Sequence, residues 1–281
     1  MEIQSFDLIG RGLAYLARTD LRVLFLALLV LLVAVSEIGF RLGRRAEARH
    51  AARVEAGTAT GEKESVGFVT AGMLGLVAFL LGVSLSMGQA RYDDRRNVVR
   101  DEANAIGTAW LRAPFAGEQE GLRMRALLHE YTELRISMVR APLSMRESGP
   151  LARINALQSE MWALAMSASL ARPDPIRASL IGSLNDMFDL SLSTRRAFYS
   201  RIPIGVMQML LWATLIAVGV VGYNFGLAGS RQPMVGVLLL VFWSSALVLI
   251  VDINNPEHGV VVVDPAPLVW TLQGFGPAAP R

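Results

Sequence analysis

The sequence contains no cysteine, and Lys63 is the only lysine among its 27 basic residues. The lack of cysteine excludes a disulfide scaffold, a thiolate zinc site, an iron–sulfur cluster and a cysteine nucleophile. Charged residues make up 18% of the chain, against about 25% in soluble domains, and 53% of the chain is hydrophobic. The net charge is only +3, without a basic block. This composition disfavours a soluble protein and predicts no nucleic-acid partner.

Sequence patterns typical of enzymes are also missing. The three histidines, His50, His129 and His258, lie in separate segments, so neither an HExxH pair nor a Ser-His-Asp set is indicated by spacing. A glycine-rich phosphate loop is absent as well. We therefore predict no enzymatic activity, no cofactor and no metal site.

Long hydrophobic runs are the main feature that the sequence does contain. Residues 66–90, 202–230 and 232–251 carry no charge over 25, 29 and 20 positions, and a helix needs about 20 apolar residues to cross a bilayer core. A fourth run, 23–40, carries only Glu37. Its arginine-rich flank also fits a secretory signal peptide, but apolar residues continue past the mock cleavage site at Ala34. We predict an all-α membrane protein with four transmembrane helices.

Four spans place both termini on one side, together with a helical bundle inserted between spans two and three. Near the span ends this side has ten arginines, and the other side has seven basic residues. This bias predicts that the side with ten arginines faces the cytoplasm and that the protein lies in the inner (plasma) membrane. The predicted segments are a cytosolic N-terminal segment (1–22), transmembrane helices 1 and 2 (23–90) with an outer loop (41–65), a cytosolic helical region (91–201), transmembrane helices 3 and 4 (202–251) and a cytosolic C-terminal tail (252–281).

The segment after span two predicts a helix that continues beyond the membrane. Between Gly88 and Pro114 there is no proline and one glycine, and Val99, Ala103 and Ile106 begin an apolar stripe at helical spacing. Proline and glycine predict breaks further along, at Pro114, Gly117, Pro142, Gly149-Pro150 and Pro173-Asp174-Pro175. Asp174 before a proline is typical of a helix start.

Several segments, in order along most of the chain, resemble the bestrophin-like family of bacteria and plants. The resemblance rests on Arg91-Tyr92-Asp93-Asp94-Arg95-Arg96 followed by Glu102-Ala103-Asn104-Ala105-Ile106-Gly107, on Glu37-Ile38-Gly39-Phe40-Arg41-Leu42-Gly43, on Arg201-Ile202-Pro203 and on Asp252-Ile253-Asn254-Asn255-Pro256. It implies a distant similarity to bestrophins, which are oligomeric, usually pentameric, ligand-responsive ion channels. In that family the second span lines the pore. The dense acidic cluster that forms the calcium clasp of bestrophins has no counterpart in this sequence.

Span two contains two overlapping stripes. Ala78, Gly82, Ser86 and Ala90 repeat at four-residue spacing, a pattern that lets another helix approach closely, either within the chain or in a second copy. The neighbouring stripe changes from apolar to polar, as expected of a constriction that opens into a wet vestibule. Its members are the candidate pore-lining residues Gly75, Phe79, Gly82, Ser86, Gln89 and Asp93.

The polar residues of the family segments are the other candidates: Glu37, Arg91, Asp93, Arg95, Glu102, Asn104 and Asp252. An acid at membrane depth must pair or line a cavity, so Glu37 either pairs with Arg41 or attracts ions. Glu102 and Asn104 either contact a ligand or bind arginine and backbone partners within a bundle. Asp252 is expected to anchor the fourth span at the surface.

Taken with the resemblance, these features predict an oligomeric ion channel whose central pore is lined by span two. The expected partners are the lipid bilayer, small inorganic ions and further copies of the chain, with five copies as the number that the resemblance implies. The alternative is a membrane-anchored interaction or signalling module without transport activity, in which the helical region 91–201 binds a partner.

Overall fold

A computed structural model describes residues 20–58, 67–141, 149–229, 231, 233–256 and 259–275. This part of the chain is helical and has no strand. The α-helices are α1 (Leu21–Glu55), α2 (Gly67–Arg112), α3 (Glu118–Arg140), α4 (Gly149–Ala171), α5 (Pro175–Tyr199), α6 (Ile204–Leu227), α7 (Pro233–Asn254) and α8 (Ala266–Gly274), with a 3₁₀ turn (Ala113–Ala116) after α2.

Four of the described helices, α1, α2, α6 and α7, are long and apolar enough to cross a membrane. They correspond to the four predicted spans. The largest difference is at α1, which continues to Glu55, so the predicted outer loop 41–65 is helical over its first 15 residues. The hydrophobic run ends at Phe40, but the alanine, arginine and glutamate residues that follow are good helix formers, so the helix persists after the apolar pattern stops.

The helices divide into two compact units. Unit 1 contains α1, the part of α2 up to Gln89, α6 and α7, and unit 2 contains the rest of α2 from Ala90, α3, α4, α5 and α8. In unit 1, α1 packs chiefly along α6 and also contacts α7. Two apolar clusters fill this unit, one around Leu28 and Leu211 and one around Leu32 and Trp243.

Glycines allow α1 and α6 to touch backbone to backbone. A Cβ placed on Gly39 would overlap the carbonyl oxygen of Gly219, and one placed on Gly222 would overlap the carbonyl oxygen of Ser36. Gly226 meets Phe40 in the same way. Close approach of this kind increases van der Waals contact, which holds helices together where lipid provides no hydrophobic drive.

Unit 2 has its own core, into which α2 inserts Val99, Ala103 and Ile106, each at most 2% exposed. The helix therefore continues beyond the predicted span, to Arg112, as the proline-free segment indicates. The expected breaks also occur. The 3₁₀ turn contains Pro114, and Gly117 has a φ of 124°. The Asp174 carboxylate accepts a hydrogen bond of 2.8 Å from the Ile176 amide and caps α5. The predicted break at Pro142 lies outside the described residues.

The contact between α1 and α6 can be tested with Gly222→Leu. Because a leucine side chain has no room against the Ser36 backbone, overpacking should cost about 2 kcal/mol or more. We expect the midpoint of thermal unfolding in detergent to fall by roughly 4–8 °C. Gly205→Leu, on the same helix with open space around its Cβ position, is the control. Equal losses in both variants would contradict the importance of this contact.

Candidate functional site

One face of α2 is exposed among the residues that the structure describes. Gly75, Phe79, Gly82, Ser86 and Gln89 are all exposed in unit 1, and at about 100° per residue they fall within an arc of about 80°. Phe79 is 66% exposed, and no atom lies within 4 Å of a Cβ placed on Gly75 or Gly82. These predicted pore-lining residues therefore share one face that is open to solvent, lipid or another copy.

The composition of this face differs from that of the apolar surface on α7. Most of the exposed side chains of α7 are large and apolar, among them Met234, Val235, Val237, Leu238 and Phe242. The α2 face combines glycine, serine and glutamine with the large ring of Phe79. Lipid tails favour the first kind of surface, whereas small and polar side chains are typical of helices that meet a neighbour or water.

The sequence interpretation missed further members of this face. Phe68 lies on the same arc near the start of α2 and is 88% exposed. In unit 2, Asp93 is partly exposed, and Asn97, Arg100 and Asn104 are exposed at positions that continue the arc. Their three- and four-residue spacing is visible in the sequence, but spacing alone does not tell an open face from a buried one.

The small-residue stripe of span two has no packing role within the described chain. Ala78, Gly82, Ser86 and Ala90 are all exposed, so no described helix of this chain buries them. The close helix contact is made instead by glycines of α1 and α6. The same small-residue pattern serves both purposes, so the sequence could not assign it.

Two family segments and the end of the α2 span meet in unit 1. The backbone amide of Ile202 donates a hydrogen bond of 2.7 Å to the side-chain oxygen of Asn254. A Cβ on Gly88 would lie 3.3 Å from Ile253 and 3.6 Å from Ile202. Asp252 stands in the last turn of α7 and is 4% exposed, so protein neighbours bury it at the end of the fourth span. These residues connect the start of α6 with the end of α7.

Glu37 has the partner that the sequence predicts and a second one. Its Oε1 accepts a hydrogen bond of 2.9 Å from Arg41 Nε, one turn later on α1. Arg231, in the turn between α6 and α7, places Nη2 3.3 Å from the same oxygen. Glu37 thus joins α1 to the α6–α7 turn.

The arginines of the family segment have different surroundings in unit 2. Arg91 is half-buried and lies 3.8 Å from Asp94, whereas Arg95 is 1% exposed. Arg95 therefore belongs to the interior of unit 2 and not to the open face of α2.

Glu102 is the centre of a buried polar network in unit 2. Arg135 Nη2 donates to Glu102 Oε2 at 2.7 Å, and Arg135 Nε lies 2.6 Å from Oε1. The Tyr131 hydroxyl donates to Oε1 at 3.3 Å, and the Thr194 hydroxyl donates to Oε2 at 2.8 Å. All four residues are at most 4% exposed. Both carboxylate oxygens are therefore occupied by partners from α3 and α5.

This network accounts for the protonated states of Tyr131 and Arg135. Burial raises the pKa of the Tyr131 phenol, and the Glu102 charge raises it further, so Tyr131 stays protonated and donates. Burial alone would lower the pKa of Arg135, but the Glu102 charge, the neighbouring Tyr131 and the hydrogen bond to Glu102 together outweigh burial and raise it. Asn104 is exposed and does not share this site. Glu102 binds an arginine within a bundle, and the two residues do not form a joint ligand site.

Glu102→Leu should strongly destabilise unit 2, because it leaves the Arg135 charge buried without its counter-ion, at a cost of about 3–5 kcal/mol. Denaturant unfolding of the purified protein measures the loss. Glu102→Leu combined with Arg135→Met should restore most of the stability, since both charges are then gone. Glu130→Gln, which breaks the exposed pair with Arg153, is the control and should cost less than about 1 kcal/mol. A double variant as unstable as Glu102→Leu would contradict this account.

Solved structures with the same fold include bacterial membrane proteins. A variant of a bacterial bestrophin homologue from Klebsiella pneumoniae aligns with a TM-score of 0.63 and 13% identity over 87% of this chain and 97% of that chain. A second structure of that homologue gives a TM-score of 0.61 over 86% and 96% of the two chains, again at 13% identity. A structure described as a membrane protein gives 0.66 at 14% identity over 89% and 97%. At these identities the likeness establishes the fold.

Comparison with curated proteins gives no match. The family model described as the bestrophin-like domain matches residues 30–268. Bestrophins are known as channels and not as enzymes, and the four apolar helices agree with a multi-pass membrane protein. Since the match extends over most of the sequence, the chain belongs to the bestrophin-like family.

Proposed function

We propose that the protein is an oligomeric ion channel in which the open face of α2 lines a central pore for small ions. The observation that carries this proposal is the uncovered arc of glycine, serine and glutamine around Phe79. Packing several copies around one axis would surround that face with its equivalents and leave the large apolar side chains of α7 toward lipid. Membership of the family supports a channel.

Within this pore Phe79 forms the narrow part. A ring of phenylalanines from several copies makes a hydrophobic constriction, which gates by excluding water. Ser86 and Gln89 follow along the same face, and Asp93 comes about one helical turn after Gln89 on α2. A charge at a pore mouth biases which ions arrive without closing the route, so Asp93 is proposed to tune selectivity.

The proposal includes the arrangement inferred from the arginine bias. Residues 91–201 form a cytosolic helical region, both termini are cytosolic, and the segments 23–90 and 202–251 contain the four spans of an inner-membrane protein. Five copies would follow the usual number in bestrophins. The competing proposal is a membrane-anchored interaction module, for which the exposed apolar side chains of unit 2, such as Leu111 and Leu170, would provide a binding surface.

Flux measurements distinguish the two proposals. Phe79→Ala should raise ion flux through purified protein in liposomes severalfold, because a smaller side chain widens and wets the constriction. Leu76→Ala, an exposed residue on a different face of α2, should leave flux unchanged. If neither wild type nor Phe79→Ala conducts any common monovalent ion, the pore is refuted and the interaction module is favoured.

The orientation can be measured because the chain has no cysteine. Single cysteines at Thr58, just after α1, and Glu118, at the start of α3, are both exposed positions. In intact cells an impermeant maleimide should label Thr58→Cys and leave Glu118→Cys unlabelled. Glu118→Cys should react only after the cells are permeabilised. The reverse pattern would overturn the orientation, and equal labelling would overturn the number of spans.

A further inference from the structure

A groove of about 200 Å³ lies between α1, α6 and α7 in unit 1, beside the α6–α7 turn. Its walls are mostly apolar, with Val33 on α1, Val218 on α6, and Leu240 and Trp243 on α7. Leu240 and Trp243 are buried and form the bottom of the groove, whereas Val33 at its edge is about half exposed. The groove therefore has an apolar interior and opens on the surface of the membrane-spanning helices.

One rim of the groove is basic. Arg231 lines it, with its guanidinium carbon 4.4 Å from the centroid of the Phe40 ring and Nη2 3.3 Å from Glu37. Arg41 shares the same Glu37 oxygen, and a Cβ on Gly229 would lie 3.1 Å from Arg44 Nη1. Arg231 and Arg41 thus share one carboxylate, and Arg44 lies beside the same turn, so the rim keeps a positive charge.

The geometry leaves Arg231 able to bind a further anion. Stacking on Phe40 and the contact with Glu37 fix the guanidinium plane, which reduces the entropy lost on binding. The Arg231 side chain is 64% exposed, and a guanidinium has five N–H donors arranged to grip a phosphate through two of them. A fixed and accessible guanidinium above an apolar groove suits a molecule with an anionic head and a hydrocarbon chain.

We propose that this groove is a binding site for an anionic phospholipid, whose acyl chain lies along the apolar wall and whose phosphate contacts Arg231. A free phosphate ion would use only the rim and leave the apolar wall empty. A zwitterionic lipid has the same chain, but its ammonium group offsets the attraction of the basic rim. The site therefore prefers an anionic lipid over both. It does not depend on whether α2 lines a pore.

The site can be separated into its two parts by mutation. Gly236 lines the groove, and nothing lies within 4 Å of a Cβ placed there. Gly236→Leu therefore fills the groove without a backbone clash. Arg231→Gln removes the charge and leaves Glu37 paired with Arg41. The matched controls are Gly205→Leu, also with an open Cβ position, and Arg53→Gln, an exposed arginine in the last turn of α1.

The experiment titrates purified wild type and variants with phosphatidylglycerol, phosphatidylcholine or inorganic phosphate. Thermal unfolding and lipid retention in native mass spectrometry are the two measurements. Wild type and both controls should be stabilised most by phosphatidylglycerol and unaffected by inorganic phosphate. Arg231→Gln should raise the phosphatidylglycerol concentration needed for half-saturation about fivefold, because each basic residue contributes about 1 kcal/mol to binding an anionic lipid. Gly236→Leu should reduce retention of both lipids.

Either of two lipid-binding results would overturn the proposal. One is equal stabilisation by phosphatidylglycerol and phosphatidylcholine in wild type, and the other is unchanged lipid retention in both Arg231→Gln and Gly236→Leu. Loss of the oligomer in Gly236→Leu with no change in lipid retention would also overturn it, because a second copy would then occupy the groove. Absence of ion flux would refute the channel alone and leave this site intact.

Discussion

The structure depends on the fact that a single unbroken helix, α2, contributes to the cores of both units. In unit 1 its buried residues are Val77, Ser84 and Gly88, and in unit 2 they include Val99, Ala103 and Ile106. Each core covers one side of its own part of the helix, and Gly75, Phe79, Gly82 and Ser86 on the other side of the unit 1 part are exposed. The uncovered arc is thus a consequence of how the helix is packed.

Much of this architecture can be predicted from the sequence because it depends on local patterns. Charge-free runs identify the spans, and the absence of proline before Pro114 predicts the length of α2. Asp174 followed by proline predicts the start of α5. The end of α1 is missed because hydropathy stops at Phe40 while helix propensity continues.

Features that depend on distant partners could not be predicted in the same way. Glu102 was recognised as a candidate, but its partners Arg135 and Thr194 are 33 and 92 residues away, and no spacing rule connects them. The glycines of α1 and α6 are visible in the sequence, yet only the fold shows that Gly39 faces Gly219. The stripe at Gly82 has the same pattern and the opposite environment. A small-residue pattern predicts close approach and does not identify the partner.

The backbone contact between α1 and α6 and the buried Glu102–Arg135 pair contribute to the fold in different ways. Between α1 and α6 there is no hydrophobic drive in lipid, so stability must come from backbone contact that only glycine permits. In unit 2 the burial of an apolar core, which contains Leu128, Leu157, Leu184 and their neighbours, already stabilises the fold. The Glu102–Arg135 pair specifies how the helices of that core are aligned. An ion pair buried in a core gives little net stability against apolar residues of similar size, but one unmatched charge is costly. Such a pair therefore penalises any shift of α3 along α2 that separates the carboxylate from its guanidinium. Within unit 2 the pair thus fixes the register of α3 on α2.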